Sequence, residues 1–341
     1  MLMPKNVSFP QEYLRRRIDL RGSYDDLLAF PRYFELETVN ACNARCPMCT
    51  IEDWQRDSPT MKEPLFRKIA DEIIAHAGEV KRVSLYRDGE PLLDKKMASR
   101  IAYLKQGGIN EVTLSTNVSL LNERRATDIL EAGLDSIILS IDSLKKDVFE
   151  AIRVRLNFEE VLENALRFIE LRNKIRPSCS IRVRMVRQET NADEWPEYER
   201  FWRPKLKFND RVNYHNIHNW GGQLKEFAPV TTTREPNLPC VALWSLMVIF
   251  SEGQVPLCNV DYNNTMPTGS VALQSIQEIW QGREMRERRD LHLKGAKADI
   301  SLCANCNVWD EPSDTEQVSA EYADAVTLTP TAEPVPLATA S

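Results

Sequence analysis

Seven of the eight cysteines in this 341-residue chain fall into two spaced sets. Cys42, Cys46 and Cys49 form a C-x3-C-x2-C loop at the end of the stretch Glu37-Thr38-Val39-Asn40-Ala41-Cys42-Asn43-Ala44-Arg45-Cys46-Pro47-Met48-Cys49. A structural zinc or a closed iron–sulfur cluster takes four protein ligands, so three thiols with no fourth nearby suit a cubane with one iron open to a small molecule. Pro47 and the polar residues between the thiols favour a turn that aims the sulfurs to one side, and ligation would lower their pKa. Three free cysteines in a loop is the plainer alternative. Cys240, Cys258, Cys303 and Cys306 are spaced C-x17-C-x44-C-x2-C. Four ligands make a closed site for zinc or an iron–sulfur cluster, and in isolation zinc is the favoured reading.

The elements that must hold these residues follow from periodicity. A strand over Tyr33–Thr38 runs into the first cysteine loop. Helical spacing of Leu65, Ile69, Ile73 and Ile74 predicts a helix over Pro64–His76, followed by a strand at Arg82–Tyr86. The chain then alternates helix and strand: Lys96–Lys105, Glu111–Ser115, Asn122–Ala132, Ser136–Ile141, Asn157–Asn173, Ser180–Val186, Ala192–Trp202 and Arg211–Ile217. Such alternation specifies an α/β fold with a parallel sheet and crossover helices. Six β/α units are too few for a closed eight-unit barrel, so a partial (β/α)6 TIM-like barrel is expected, with one side to be covered. Beyond residue 235 the rhythm stops. Ser245–Phe250, a Glu252-Gly253 turn and Gln254–Cys258 read as a hairpin, and Ser275–Arg283 as a helix, a small C-terminal domain around the four thiols.

The domain boundaries are therefore expected at 1–31 (a polar lead-in with a short helix near Glu12–Arg17 and a possible docking edge of Tyr24, Leu27, Leu28 and Phe30), 32–234, 235–310 and 311–341. The last stretch, rich in Thr, Ala, Pro, Glu and Ser, reads as a disordered tail. A net charge of −6 gives no basic footprint for nucleic acid. No apolar run approaches the roughly 20 residues that span a bilayer, and Arg15-Arg16-Arg17 interrupts any secretory signal, so a cytoplasmic protein with a small or peptidic substrate is expected.

With its cysteine loop, the chain resembles the radical S-adenosylmethionine (SAM) enzymes over about residues 32–310. The resemblance implies that Cys42, Cys46 and Cys49 hold a [4Fe-4S] cluster whose open iron chelates SAM. Reductive cleavage of SAM then yields a 5′-deoxyadenosyl radical that takes a hydrogen atom from substrate. A flavodoxin- or ferredoxin-type electron donor is implied with it. Met48 stands where the family often has an aromatic residue, and its thioether is expected to pack on adenine. Gly89-Glu90-Pro91 matches the GEP motif that meets the SAM amino group. Ser115 and Asn117 resemble the segment ending strand three, with Val118 where glycine is usual, and Ser140 and Asp142 the segment that contacts the ribose or carboxylate. Arg182 and Arg184 alternate with Val183 and Met185 and so point the same way; either can reach the SAM carboxylate, or form a salt bridge in the outer layer.

Joined to that loop, the second thiol set resembles the twitch domain, a shortened SPASM domain with one auxiliary [4Fe-4S] cluster, with spacing like that of the 2-deoxy-scyllo-inosamine dehydrogenases of aminoglycoside biosynthesis. Four protein ligands leave no open iron, so the auxiliary cluster is expected to exchange electrons. An epimerase needs a hydrogen-atom donor, commonly a thiol, and Cys179 lies at the wrong end of its strand. Dehydrogenation of a hydroxyl-bearing carbon of an aminocyclitol, sugar or aminoglycoside precursor is the expected reaction, with sugar epimerisation and peptide modification as alternatives. His218, Asp261 and Tyr262, in that order, are the candidate bases, although His218 could instead bond the Gly221-Gly222 turn and the other two sit on a solvated loop.

Overall fold

The computed structural model describes residues 8–57, 59–224 and 238–306; the expected tail at 311–341 lies outside them. Its centre is one all-parallel sheet. In chain order the strands are β1 (Tyr33–Leu36), β2 (Arg82–Ser84), β3 (Glu111–Thr116), β4 (Ser136–Ser140), β5 (Ser180–Arg187), β6 (Arg211–Asn216) and β7 (Leu246–Ile249). Their spatial order is β6-β5-β4-β3-β2-β1-β7.

Six strands and their crossovers stand where periodicity put them. The seventh differs. Ser245–Phe250 was expected to fold back on Gln254–Cys258, but β7 pairs in parallel with β1, Tyr33 opposite Leu246 and Leu36 opposite Ile249. The C-terminal hairpin is instead β8 (Gln254–Pro256) with β9 (Pro267–Ser270), antiparallel. Gly253, at φ +91°, turns the chain between β7 and β8, and its N–H bonds the Phe250 carbonyl at 2.8 Å. All four residues of β7 are buried, as expected of a strand covered on both faces.

Along β5 the alternation is clean: Ile181, Val183 and Met185 are buried against the helical layer, while Arg182 and Arg184 are half-buried on the inner face. The outer layer is α3 (Glu63–Ala75), α4 (Met97–Gln106), α5 (Glu123–Glu131), α6 (Lys146–Ile152), α7 (Phe158–Ile175) and α8 (Trp195–Trp202), after the N-terminal α1 (Phe9–Ile18) and α2 (Tyr24–Ala29). Helix α6 had no signal of its own, being seven residues long with only Phe149 and Ile152 buried. Asn122 and Asn157 cap α5 and α7 by accepting from the N–H groups of Arg125 and Glu160.

The C-terminal part adds α9 (Ala242–Ser245), α10 (Ile276–Trp280), α11 (Arg283–Leu293) and α12 (Ser301–Ala304). It occupies the edge that the lead-in was expected to offer a partner. Trp280 Nε1 donates to the Leu27 carbonyl at 3.0 Å and Trp244 Nε1 to Tyr24 Oη at 2.9 Å, and Leu27 and Phe30 are buried.

Candidate active site

The first cysteine loop follows β1 and is held from three sides. Glu90 N–H donates to the Ala41 carbonyl at 2.8 Å, and a Cβ at Gly89 would lie 2.5 Å from the carbonyl oxygens of both Val39 and Ala41. Glycine is therefore required here by the close approach of two backbones. Asn117 Nδ2 reaches Cys42 Sγ at 3.8 Å and Asn43 Oδ1 at 2.9 Å. Arg153, just after α6, donates to Asp142 Oδ2 at 2.6 Å and brings Nη1 to 3.8 Å from Cys46 Sγ.

Several side chains expected to contact ligand have partners within the protein. The Glu90 carboxylate accepts from Thr116 Oγ1 at 2.7 Å and from the N–H groups of Asn117 and Leu92 at 2.8 and 3.0 Å. Burial raises its pKa even so. Pro91, also buried, opens the short turn whose Leu92 N–H makes one of those bonds. Asp142 is likewise engaged: Oδ1 takes the Val186 N–H at 2.8 Å while Oδ2 holds Arg153, which approaches Cys46. Ser140 is buried at the end of β4, in register with Arg184, whose Nη2 lies 3.4 Å from Ser115 Oγ. Arg182 shares the inner face one register step below, opposite Ile138. Met48 is buried, and its carbonyl accepts from Trp220 Nε1 at 3.1 Å.

Among the candidate bases, Asp261 is engaged by its own turn. It is fully buried, and its carboxylate accepts from Thr265 N–H (2.7 Å), Thr265 Oγ1 (2.8 Å) and Met266 N–H (2.9 Å), which makes it the organiser of its own turn. His218 stands at the mouth of the sheet but is a poor base: burial, then the charges of Arg87 and Arg184, bring its pKa down to about 4. Its Nδ1 accepts the Trp220 N–H at 3.2 Å, inside the turn that the plainer reading named, so the neutral ring carries its proton on Nε2. Tyr262 is buried with its ring 6.1 Å from and edge-on to that of Trp220, and burial raises its pKa.

The sequence reading missed the charged residues beneath. Glu35 lies on the inner face of β1, raised in pKa by burial against the opposing charges of Arg87, Arg82 and Arg184. Arg56 forks both guanidinium nitrogens onto the buried Glu37 at 2.8 Å, donates Nε to the Tyr262 carbonyl at 2.7 Å and stacks 3.5 Å over Phe250. These pairs join residues distant in sequence, so no local pattern marks them.

Within each thiol set the cysteines lie close enough to feel one another's charge. Burial, then the charge of Cys46, pushes the Cys49 thiol up to about 12, and burial also raises Cys42. Cys258 is raised well above its ordinary value by burial and by the charges of Cys303, Cys306 and Cys240, and Cys303 is pushed to about 12. Thiolates crowded in so poor a dielectric need cationic partners, which iron supplies. Among the described residues no three Cys, His, Asp or Glu side chains close round one metal ion, so the match to four-iron clusters rests on donor chemistry, donor number and the N–H groups aimed at Cys42 and Cys46.

Residues 36–198 match the Radical SAM superfamily and residues 240–307 the SPASM iron–sulfur cluster-binding domain, so the chain belongs with the radical SAM proteins that carry a SPASM domain. Its cofactors are S-adenosylmethionine, the [4Fe-4S] cluster of the radical SAM domain and an auxiliary [4Fe-4S] cluster of the SPASM domain. A GTP 3',8-cyclase of Chlorobaculum tepidum is 31% identical over 49% of this chain and 48% of its own. The S-adenosyl-L-methionine-dependent 2-deoxy-scyllo-inosamine dehydrogenase of Niallia circulans is 22% identical over 80% of this chain and 91% of its own. The fold matches that of Streptococcus suis SuiB bound to its precursor peptide SuiA, with a TM-score of 0.59 at 15% identity, over 83% of this chain and 71% of that one. The chain spans about half the length of the cyclase. Among the described residues no helix is long and apolar enough to cross a membrane.

Proposed function

We propose that this chain dehydrogenates a hydroxyl-bearing carbon of a small polyhydroxylated molecule, an aminocyclitol or sugar, with a flavodoxin- or ferredoxin-type protein as electron donor. When bound, SAM and the first cluster supply a hydrogen-atom abstractor and the second cluster a one-electron acceptor. Cys179 carries the choice of outcome. It is the one cysteine outside the two sets, is fully buried before β5 at the end of the sheet opposite the cluster loop, and its thiol is pushed up to about 12 by burial. No thiol stands ready to return a hydrogen atom, which favours net oxidation over epimerisation.

The residues divide the work. Asn117 and Arg153 steady the sulfurs of Cys42 and Cys46; Trp220 ties the Met48 carbonyl to the auxiliary side. His218, neutral with Nε2–H outward, donates to a substrate oxygen. Glu35, made more basic by burial, takes the hydroxyl proton. The resemblance to the Niallia dehydrogenase over nearly its whole length supports the same class.

Anaerobic incubation of the reconstituted protein with SAM, reductant and a panel of aminocyclitols in deuterated water tests this. Loss of two mass units by one substrate, unaffected in Cys179→Ala and abolished in Glu35→Gln with SAM cleavage retained, is expected. Solvent deuterium in an unoxidised product, or modification of a peptide alone, overturns it.

A further inference from the structure

Between the two thiol sets lies an ion pair to which the reaction above assigns no step of its own. Arg87, in the turn after β2, has a side chain only 6% exposed, and that of Asp88 is not exposed at all. Arg87 Nη1 donates to Asp88 Oδ1 at 2.6 Å, Nε lies 3.4 Å from Glu35, and Nη2 donates to the carbonyl of Asn259, the residue after Cys258. The guanidinium sits 5.8 Å from the Trp220 ring, whose Nε1 holds the Met48 carbonyl in the first loop. Arg87 thus reaches the auxiliary loop through Asn259 and the first cysteine loop through Trp220, while Asp88 Oδ2 lies 3.6 Å from Arg56.

We infer that Arg87 is a positioning residue that raises the reduction potential of the auxiliary cluster, with Asp88 confining its positive charge to the Cys258 side. Reduction adds one negative charge to a cluster already bound by thiolates. A buried cation next to a ligand stabilises that added charge, because the low dielectric barely screens it. The pair therefore biases the electron left on the oxidised substrate toward the auxiliary cluster. The inference needs only that cluster; the direction of electron flow rests on the proposed dehydrogenation.

The test uses the full chain with Cys42, Cys46 and Cys49 all changed to Ser, so that only the auxiliary cluster assembles, and an EPR-monitored redox titration without substrate. Arg87→Gln is expected to move the midpoint to lower potential at unchanged iron content, and Arg87→Lys to restore most of the shift. An unmoved midpoint at full iron overturns the inference and leaves the dehydrogenation reading standing. If Arg87→Gln takes up no iron, Asp88→Asn decides: a rise in midpoint supports the role, and an unchanged or lower one refutes it.

Discussion

Replacing Gly89 by alanine probes the coupling of the GEP turn to the cluster loop. The added Cβ would lie 2.5 Å from two carbonyl oxygens, those of Val39 and Ala41, and 3.0 Å from Ala41 N. The closest ordinary carbon–oxygen approach is about 3.3 Å, so the methyl intrudes by roughly 0.8 Å on two sides. Both neighbours are backbone, and neither can rotate away. Overpacking costs about 1–3 kcal/mol, and rigid neighbours put this case near the top of that range. Moving Ala41 also breaks the 2.8 Å bond from Glu90 N–H, about 1 kcal/mol more. A total near 4 kcal/mol lowers the occupancy of the assembled loop roughly a thousandfold at equal folding of the rest. Reconstituted Gly89→Ala should therefore lose the half of its iron that Cys42, Cys46 and Cys49 hold, lose SAM cleavage, and keep the auxiliary signal. Full iron content with a wild-type denaturation midpoint would show that the turn does not brace the loop.

Arg56→Met strands the buried Glu37 carboxylate, and breaking such a pair from one side costs about 3–5 kcal/mol; the Glu37→Gln, Arg56→Met double variant should lose much less than the two singles summed, as read by urea melts. His218 has a folded pKa near 4, below its ordinary 6.5. Between those values the unfolded chain binds a proton that the folded chain refuses, so stability rises with pH across that window and falls as acid is added. His218→Gln should flatten that slope, and an identical slope would remove His218 from the account. Val118, buried at φ +70°, sets a left-handed cost of about 1–2 kcal/mol against burial of about 1.5–3 kcal/mol. Val118→Gly removes both, whereas Val118→Ala removes mainly the burial, so the alanine variant should melt lower than the glycine one.

What sequence made legible was local. Thiol number and spacing point to the family and its cofactors without a fold, and apolar periods of two and 3.6 located six strands and most helices to within a residue or two. The residues at the strand ends were read as SAM contacts, and which protein partner each would take depends on the return of other segments. Asp142 meets Arg153 from a helix with almost no apolar signature, and Glu90 meets Thr116 across neighbouring strands. A carboxylate at a strand end looks the same in sequence whether it awaits a ligand or already holds three donors. The Arg56–Glu37 and Arg87–Asp88 pairs escaped because nothing about an isolated arginine forecasts burial.

The seventh strand has a consequence for how the two matched domains can be separated. β7 belongs by sequence to the SPASM region, yet it completes the barrel sheet: Arg32 N–H donates to the Ser245 carbonyl at 3.0 Å and Glu37 N–H to the Ile249 carbonyl at 2.9 Å, at either end of β1. Leu246, Val248 and Phe250 bury the inner face of Tyr33, and Met247 and Ile249 join the main core. Losing the four residues of β7 alone forfeits about 1.5–3 kcal/mol apiece, roughly 6–12 kcal/mol in all, as large as the net stability of a typical domain. It also leaves the β1 backbone as an open, apolar edge that invites pairing between chains. A chain ending at residue 239 is therefore expected to aggregate on expression. Full-length Cys258→Ser with Cys303→Ser should remain soluble, lose only the auxiliary cluster and retain a cooperative melt. A soluble, monomeric 1–239 fragment that binds the first cluster would show that β7 is an accessory to the sheet rather than part of what holds it together.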